Sequence, residues 1–557
     1  MLPNGRRPKH VGCAVAVVLL ISLVPARCDI FGSISNAISN GTNSASSAAN
    51  TAAGAVTGAT SAVSSAVTAL APATGSAATT ASSSLQGNLT SLTNNSTAIF
   101  QQGTSGLRNL TQSAEQTVAS AAGPALASAE KSITNVTAVG AVVGGPIASA
   151  IESVVRNGTR HPLVFWPGFG TSIVNVGVAN NSAANCPSSG MFKVGYGQSS
   201  DLNGFPERCI YPLLTIQHKG GLNFSNPVGV NSTISGFGDP SCAPIPYAPT
   251  YAFLEGVGYQ PGKDFFVACY DWRTTPFTDV GSDGAHLQRA RSLVEQAYNN
   301  TNGTKVYLMA HSNGPLYALA LLSSMSAQWR QTYIAGYIPI AGNWIGQGST
   351  YSYMVSGQSL FDSSPNAASA PAFASWPSTY MSASFPSQYN DSETIIVHQG
   401  AMNYTPADSS EFYEDAGIAN AATLAPMFQG NMTPSNTSPG TNFYGFYGSG
   451  LPTLVGATYS NLTVGATFLD GGNVYLDGDG NQEYIDNLSA LKWNATLSPC
   501  YHYELNEIKG VNHLLLPLNP TVLQKVVNIV FTNPPSISMQ CAAAPAPAPT
   551  TTVTRSG

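Results

Sequence analysis

Charge is the scarcest property of this 557-residue chain. Asp, Glu, Lys and Arg make up 9% of it, against about 25% in an ordinary soluble domain. The formal net charge is −6, with no basic excess to hold a nucleic acid backbone. Long apolar runs are missing too. None reaches the roughly 18–20 residues of a spanning helix, which excludes a polytopic membrane protein. There is no C-x-x-C pair, so zinc-site spacing is absent. Glycine and proline lack the period of collagen, and eight cysteines are too few for a dense disulfide scaffold. A chain with so little charge needs other means to stay in solution, and covalent sugar is the candidate.

The N-terminus reads as a secretory signal over 1–28. Arg6, Arg7 and Lys9 precede the apolar run Val11–Val24, and Pro25-Ala26-Arg27-Cys28 follow as a cleavage zone. A short uncleaved anchor is the competing reading. Cleavage there removes four positive charges and takes the net charge from −6 to −10. Nineteen N-x-S/T sequons agree with secretion, among them Asn157, Asn223, Asn299, Asn403, Asn461 and Asn494. Beyond the signal stand Cys186, Cys209, Cys242, Cys269, Cys500 and Cys541, an even number suited to an oxidising compartment. Destination within that pathway, whether extracellular, cell-surface, lysosomal or vacuolar, stays open.

Residues 29–155 are rich in Ala, Ser, Thr, Gly and Asn and nearly without charge or aromatics. Such a stretch buries too little apolar surface to offset its ordering entropy. A disordered, O-glycosylated stalk is favoured over a weak Ala-rich helix with Val56, Val63, Val67 and Leu70 on one stripe. From 156 to 540 the composition changes. Strands are expected at Leu163–Trp166, Phe265–Cys269, Val306–Met309, Tyr333–Ile340 and Thr394–Val397, with a helix over Pro315–Met325. Strands alternating with helices predict an α/β fold with a mostly parallel sheet. Residues 345–450 resist reading and suit a substrate-binding insertion. The tail 541–557 is Pro- and Thr-rich linker.

The chemistry concentrates in Val306-Tyr-Leu-Met-Ala-His-Ser-Asn-Gly314. An apolar strand runs into Ala310-x-Ser312-x-Gly314 and then a helical pattern, the arrangement of a nucleophile elbow. Ala37-x-Ser39-x-Gly41 matches the same pentapeptide without a strand before it, so context separates the two. A serine nucleophile needs a base and an orienting acid, in the order Ser, acid, His for an α/β-hydrolase. His513, in Gly510-Val-Asn-His513-Leu, has the best setting. His398 precedes the best acid, and His502 beside Cys500 reads as structural. The acid lies in Asp477-Gly-Asp479-Gly480, a loop whose opening also fits a calcium site, though its later positions do not. The oxyanion donors are the backbone N–H of Phe169, in Pro167-Gly168-Phe169-Gly170, and of Asn313.

Seven segments in order resemble the lecithin:cholesterol acyltransferase family, which includes lysosomal phospholipase A-type enzymes and phospholipid:diacylglycerol acyltransferases. They are His161-Pro-Leu-Val-Phe-Trp-Pro-Gly168, Gly236-Phe-Gly238, Tyr270-Asp-Trp-Arg273, Ala310-His-Ser-Asn-Gly314, Ile338-Pro-Ile-Ala-Gly-Asn-Trp344, Asp477-Gly-Asp-Gly480 and Asn512-His-Leu514. The resemblance implies an α/β-hydrolase fold with lid or cap insertions over about 160–520. It implies a triad of Ser312, Asp479 and His513, oxyanion donors at Phe169 and Asn313, no cofactor and no metal. It also implies that Cys186 and Cys209 close a lid loop. Asn481-Gln482-Glu483 replaces the family's usual continuation after Asp-Gly-Asp, which keeps Asp477 open beside Asp479. Gly342-Asn343-Trp344-Ile345-Gly346 departs from the family after the fourth strand and bears on the acyl pocket. The expected activity is a serine acyltransferase or phospholipase acting at a phospholipid membrane or lipoprotein surface. Its acyl group would pass to a sterol, another lipid alcohol or water. The alternatives are an esterase on neutral or small esters and a non-catalytic surface or wall protein. Tyr444–Tyr447 reads equally well as a membrane-inserting stretch and as core.

Overall fold

Five short buried strands and a sixth, partly exposed one assemble into one parallel sheet. In chain order they are β1 (Leu163–Trp166), β2 (Phe265–Val267), β3 (Val306–His311), β4 (Ile334–Ile340), β5 (Phe443–Ser449) and β6 (Tyr503–Lys509). Across the sheet they lie β6-β5-β4-β3-β1-β2, and every neighbouring pair is parallel. Strands β1 to β5 are buried throughout, while β6 forms a partly exposed edge. Helices α1 (His286–Asn300), α2 (Gly314–Ser324), α3 (Ser349–Ser356) and α4 (Pro520–Val530) are the ones that matter for the site. This is an α/β-hydrolase fold. The computed structural model describes residues 154–535, apart from 156–157, 182, 184–185, 197–205, 281–284, 361–365, 387–393, 399–401, 470 and 498. The signal at 1–28, nearly all of the 29–155 segment and the tail 541–557 lie outside the described residues.

Strand order places the chemistry. The chain runs from β1 outward to β2 on one side, then returns to β3 on the other. Loops leaving the C-terminal ends of β1 and β3 therefore diverge and leave a crevice between them. Pro167–Gly170 leaves β1, and Ser312 leaves β3. A second sheet of four strands, which includes Leu451–Tyr459 paired with Val474–Gly478, follows directly from β5 and delivers Asp479. His513 arrives after β6 through a turn at Gly510.

One open reading is decided and one expectation changes. Of the two readings of Tyr444–Tyr447, the core one holds. The stretch lies within β5, hydrogen-bonded between β4 and β6, with Tyr444 and Tyr447 6% and 7% exposed. The strand expected over Thr394–Val397 is a short piece, Ile396–His398, outside the main sheet. The remaining strands sit where expected within a few residues. Disulfides join Cys186 to Cys209 and Cys242 to Cys269, and Cys500 is disulfide-bonded as well. Among the described residues no helix is long and apolar enough to cross a membrane.

Burial sets one pH dependence of the fold. Trp166 Nε1–H donates to His286 Nε2 at 3.2 Å. The other ring nitrogen is buried without a partner, although the residue as a whole is half-buried. Desolvation of the ring, with Arg289 nearby, holds the His286 pKa down to about 3. In the unfolded chain the same histidine titrates near 6.5. Between those values the unfolded chain binds a proton that the folded protein refuses, so stability is lost as pH falls below 6.5. His286→Gln, which keeps an acceptor for Trp166, should remove this slope. On going from pH 7 to pH 5 it should gain about 2 kcal/mol relative to the parent. Urea unfolding at the two pH values measures the difference, and a parent that loses no more than the variant would refute it.

Candidate active site

The sharp turn after β3 rests on backbone geometry. Ser312 has φ +63°, a left-handed conformation that a side chain rarely adopts. Its N–H donates to Ile340 O of β4 at 3.0 Å, and its carbonyl accepts from Asn343 N–H at 3.3 Å. The turn thus hangs from the neighbouring strand and the loop that follows it. Gly314 is required by close approach. A Cβ there would lie 2.4 Å from Trp166 O and 2.6 Å from Pro167 O. With no side chain at 314, α2 starts hard against the end of β1. Gly168 of that β1 loop sits so close that a Cβ on it would be 3.0 Å from Ser312 Cβ.

His513 and Asp479 meet behind the serine. His513 Nδ1–H donates to Asp479 Oδ2 at 2.7 Å, and His513 N–H donates to Asp479 O at 2.9 Å. Asp479 is fully buried. Its other oxygen accepts from the N–H groups of Asn481 (3.0 Å) and Gln482 (2.7 Å). Three hydrogen bonds therefore hold the carboxylate in one orientation and fix the imidazole with Nδ1 protonated. His513 Nε2 is buried with no protein partner. Asp477 points elsewhere, accepting from Gly450 N–H at 2.7 Å. Among the described residues no cluster of His, Cys, Asp and Glu has the make-up of a metal site. His398 and His502 stand outside the cleft, the latter against Tyr444 and 3.5 Å from Glu504.

A second network, invisible in the sequence, joins the β1 loop to His513. His311 Nε2 lies 3.0 Å from His513 O, and a carbonyl only accepts, so Nε2 carries the proton. Burial, reinforced by the nearby His513, holds the His311 pKa well below its ordinary value. The ring is neutral, and its Nδ1 accepts from Tyr247 Oη–H at 2.8 Å. Burial likewise pushes the Tyr247 phenol up, so it keeps its proton. The Tyr247 oxygen in turn accepts from Gly168 N–H at 2.7 Å. Every direction in the chain Gly168–Tyr247–His311–His513 is forced by the group at its end. Tyr247 was missed because a tyrosine more than 60 positions before the serine carries no local signal. A third tie was also missed. Asp486, fully buried, accepts from Trp344 N–H (2.8 Å) and Ile345 N–H (2.6 Å). It fastens the loop after β4, with Asn343, to the segment that bears Asp479. Desolvation raises the Asp486 pKa well above the usual carboxylate range.

These elements enclose a cleft of about 460 Å³. Ser312, His513, Phe169 and Asn313 all line it, together with Asn343 and the inward face of α3. Asp479 lies behind His513 rather than in the cleft wall. The residues expected from sequence are thus brought together at one crevice, with a serine on a strained turn, an imidazole with a free nitrogen, and a buried carboxylate behind it. Tyr247→Phe should strip the acceptor from Gly168 N–H and the donor from His311 at once. Leaving buried polar groups unpaired should cost about 2–4 kcal/mol in chemical denaturation. A variant as stable as the parent would show that the chain of hydrogen bonds contributes nothing.

A family model described as lecithin:cholesterol acyltransferase matches residues 245–375, a span holding Tyr247, Ser312 and Asn343. The chain is 26% identical over 322 residues to a rat protein named lysosomal phospholipase A and acyltransferase, covering 55% of this chain and 74% of that one. It is 22% identical over 323 residues to the chicken phosphatidylcholine-sterol acyltransferase, covering 54% and 72%. A chain of the solved Tle4–Tli4 complex is a more distant likeness, at 12% identity and a TM-score of 0.42 over 67% of this chain and 98% of that one.

Proposed function

Because the chain belongs to the lecithin:cholesterol acyltransferase family, and is an enzyme of the acyltransferase and phospholipase type, we propose that it cleaves a phospholipid acyl ester through an acyl-serine intermediate. The observation that carries this reading is the 2.7 Å bond between Asp479 and His513, set in the same crevice as the strained Ser312. In the proposed sequence, Ser312 Oγ attacks the ester carbonyl and His513 Nε2 takes its proton. Asp479 holds the imidazole tautomer and balances the positive charge that forms. The N–H groups of Phe169 and Asn313 receive the negative oxygen, each contributing about 3 kcal/mol. His513 returns the proton to the leaving lysophospholipid oxygen. The acyl group then passes from Ser312 to water or to a lipid alcohol, with His513 removing the acceptor's proton.

The proposed setting is the secretory pathway, with the enzyme working at a phospholipid or lipoprotein surface. The disulfides fit an oxidising compartment. Sequon exposure agrees with glycosylation: Asn223, Asn299, Asn403, Asn461 and Asn494 are all exposed. Asn487 is the exception. It is 1% exposed and donates to Glu483 O, so its sequon arises from composition alone.

The test is a paired assay on labelled phosphatidylcholine vesicles containing a lipid alcohol. The parent should release lysophospholipid with fatty acid or new ester, and Ser312→Ala should lose about 10⁴-fold or more. Asp479→Asn should lose about 10⁴-fold in turnover through the wrong tautomer, while Asp477→Asn stays near the parent. Equal activity in the parent and Ser312→Ala would sink the mechanism, and product only from neutral or small esters would move the enzyme to another substrate class.

A further inference from the structure

Hydroxyls and amides are frequent among the residues that line the cleft beside Ser312, set in a wall whose surface is mostly apolar. Among the described residues that line it there is no Lys, Arg, Asp or Glu, yet most carry a hydroxyl or an amide. The wall includes α3. Its residues Ser349, Ser352, Tyr353 and Ser356 fall at i, i+3, i+4 and i+7, the spacing of one helix face. All four carry hydroxyls, of which Ser352 Oγ donates to Ser349 O and Ser356 Oγ is hydrogen-bonded to Tyr459 Oη. Two other groups in the wall are short of partners. Asn343 and Thr379 are each 3% exposed, and Asn343 Oδ1 and Thr379 Oγ1 are buried without a protein hydrogen bond. Asn343 is held in that orientation, since its Nδ2 donates to Asn313 Oδ1 at 3.2 Å.

A buried oxygen without a donor is costly in apolar surroundings and is satisfied by a ligand that brings O–H groups. A phosphodiester finds no cation here to pair with. A sterol offers one hydroxyl and a rigid hydrocarbon, which would seal these polar atoms away from water. The apolar side chains of the cleft, such as Phe169, Phe373 and Leu454, are fewer and suit the acyl chain. Resting on the acyl-serine reading above, we propose that the acyl acceptor is a neutral polyhydroxylated group, of the sugar or glycerol type, held by α3, Asn343 and Thr379. One acceptor hydroxyl gives its proton to His513 Nε2 as its oxygen attacks the acyl carbonyl. The new ester C–O bond forms, the bond to Ser312 Oγ breaks, and the proton returns to Ser312 Oγ. The donor's charged head group stays at the lipid surface.

Three phosphatidylcholine vesicle preparations separate the cases, each with one acceptor at equal mole fraction: hexadecyl glucoside, hexadecanol or cholesterol. Glucoside and hexadecanol share the alkyl chain and differ in the polyol. Acylated glucoside should form at least about tenfold faster than either other ester, the discrimination expected when buried polar groups meet or miss their partners. Thr379→Val, nearly the same size, should lower the glucoside-to-hexadecanol ratio about fivefold or more. Because both rates are taken with the same batch of enzyme, the ratio is unaffected by partial loss of folded protein. Fatty acid release with equal or faster ester formation on hexadecanol or cholesterol would overturn the proposal and leave the phospholipase reading standing. A preference that survives Thr379→Val unchanged would overturn this cleft as its source. No fatty acid or ester from any vesicle would overturn the phospholipase reading and this inference with it.

Discussion

The site depends on an absence of atoms at position 314. Helix α2 begins where its first residue nearly touches the carbonyls of Trp166 and Pro167, and only hydrogen fits there. That contact brings the end of β3 against the end of β1, across the point where the strand order reverses. Without it, Ser312 and the Pro167–Gly170 loop would be neighbours in topology but not in reach. With it, Gly168 lies against Ser312. The strain of φ +63° at the serine is borne by what surrounds it, through bonds to Ile340 and Asn343 on the next strand and loop.

Around that contact the remaining parts are tied by hydrogen bonds whose directions leave no choice. Asp479 is oriented by two backbone amides and by His513, and His513 is oriented by Asp479 on one side and through its carbonyl by His311. Tyr247 carries the line on to Gly168. Four segments far apart in the chain, the β1 loop, the segment bearing Tyr247, the end of β3 and the turn after β6, are thus tied by one line of hydrogen bonds. Rigid positioning of this kind matters because groups that act on developing charge are effective when they need not reorganise.

The sequence showed most clearly what depends on local order. β1, β3 and β4 are continuous apolar runs, and the elbow lies between a strand and a helix, so Ser312 stood out from the accidental match at Ser39. His513 and the Asp477–Gly480 loop followed from order along the chain. What was hidden is set by packing at a distance. β5 reads poorly as a strand because Gly445 and Gly448 interrupt it, yet both are imposed by neighbours: a Cβ would meet Leu505 at 2.7 Å or Asp479 Cβ at 2.6 Å. Its tyrosines therefore read equally well as inserting and as core. α3 packs Tyr351, Met354 and Val355 into the core and turns its serines to the cleft, so both faces are buried and no polar-outside pattern marks it as a helix. The choice between Asp477 and Asp479 is two residues in sequence and one turn in space, which no spacing rule resolves.

Scarcity of charge runs from the composition into the cleft, with a consequence for how the acid works. Asp479 is fully buried, and the cleft beside it is lined without Lys, Arg, Asp or Glu among the described residues. No side-chain cation competes with His513 for its charge. Field from the carboxylate is weakly screened there, and in the proposed reaction the imidazolium forming at His513, hydrogen-bonded to it, receives that field. Asp486 is the exception that supports the rule. It has no cation beside it, only the amides of Trp344 and Ile345, and desolvation drives it toward the neutral acid. One buried carboxyl is thus given a histidine to face and the other is left to amides. The first is placed to balance the charge that the proposed reaction puts on His513, while the second fastens the loop that carries Asn343.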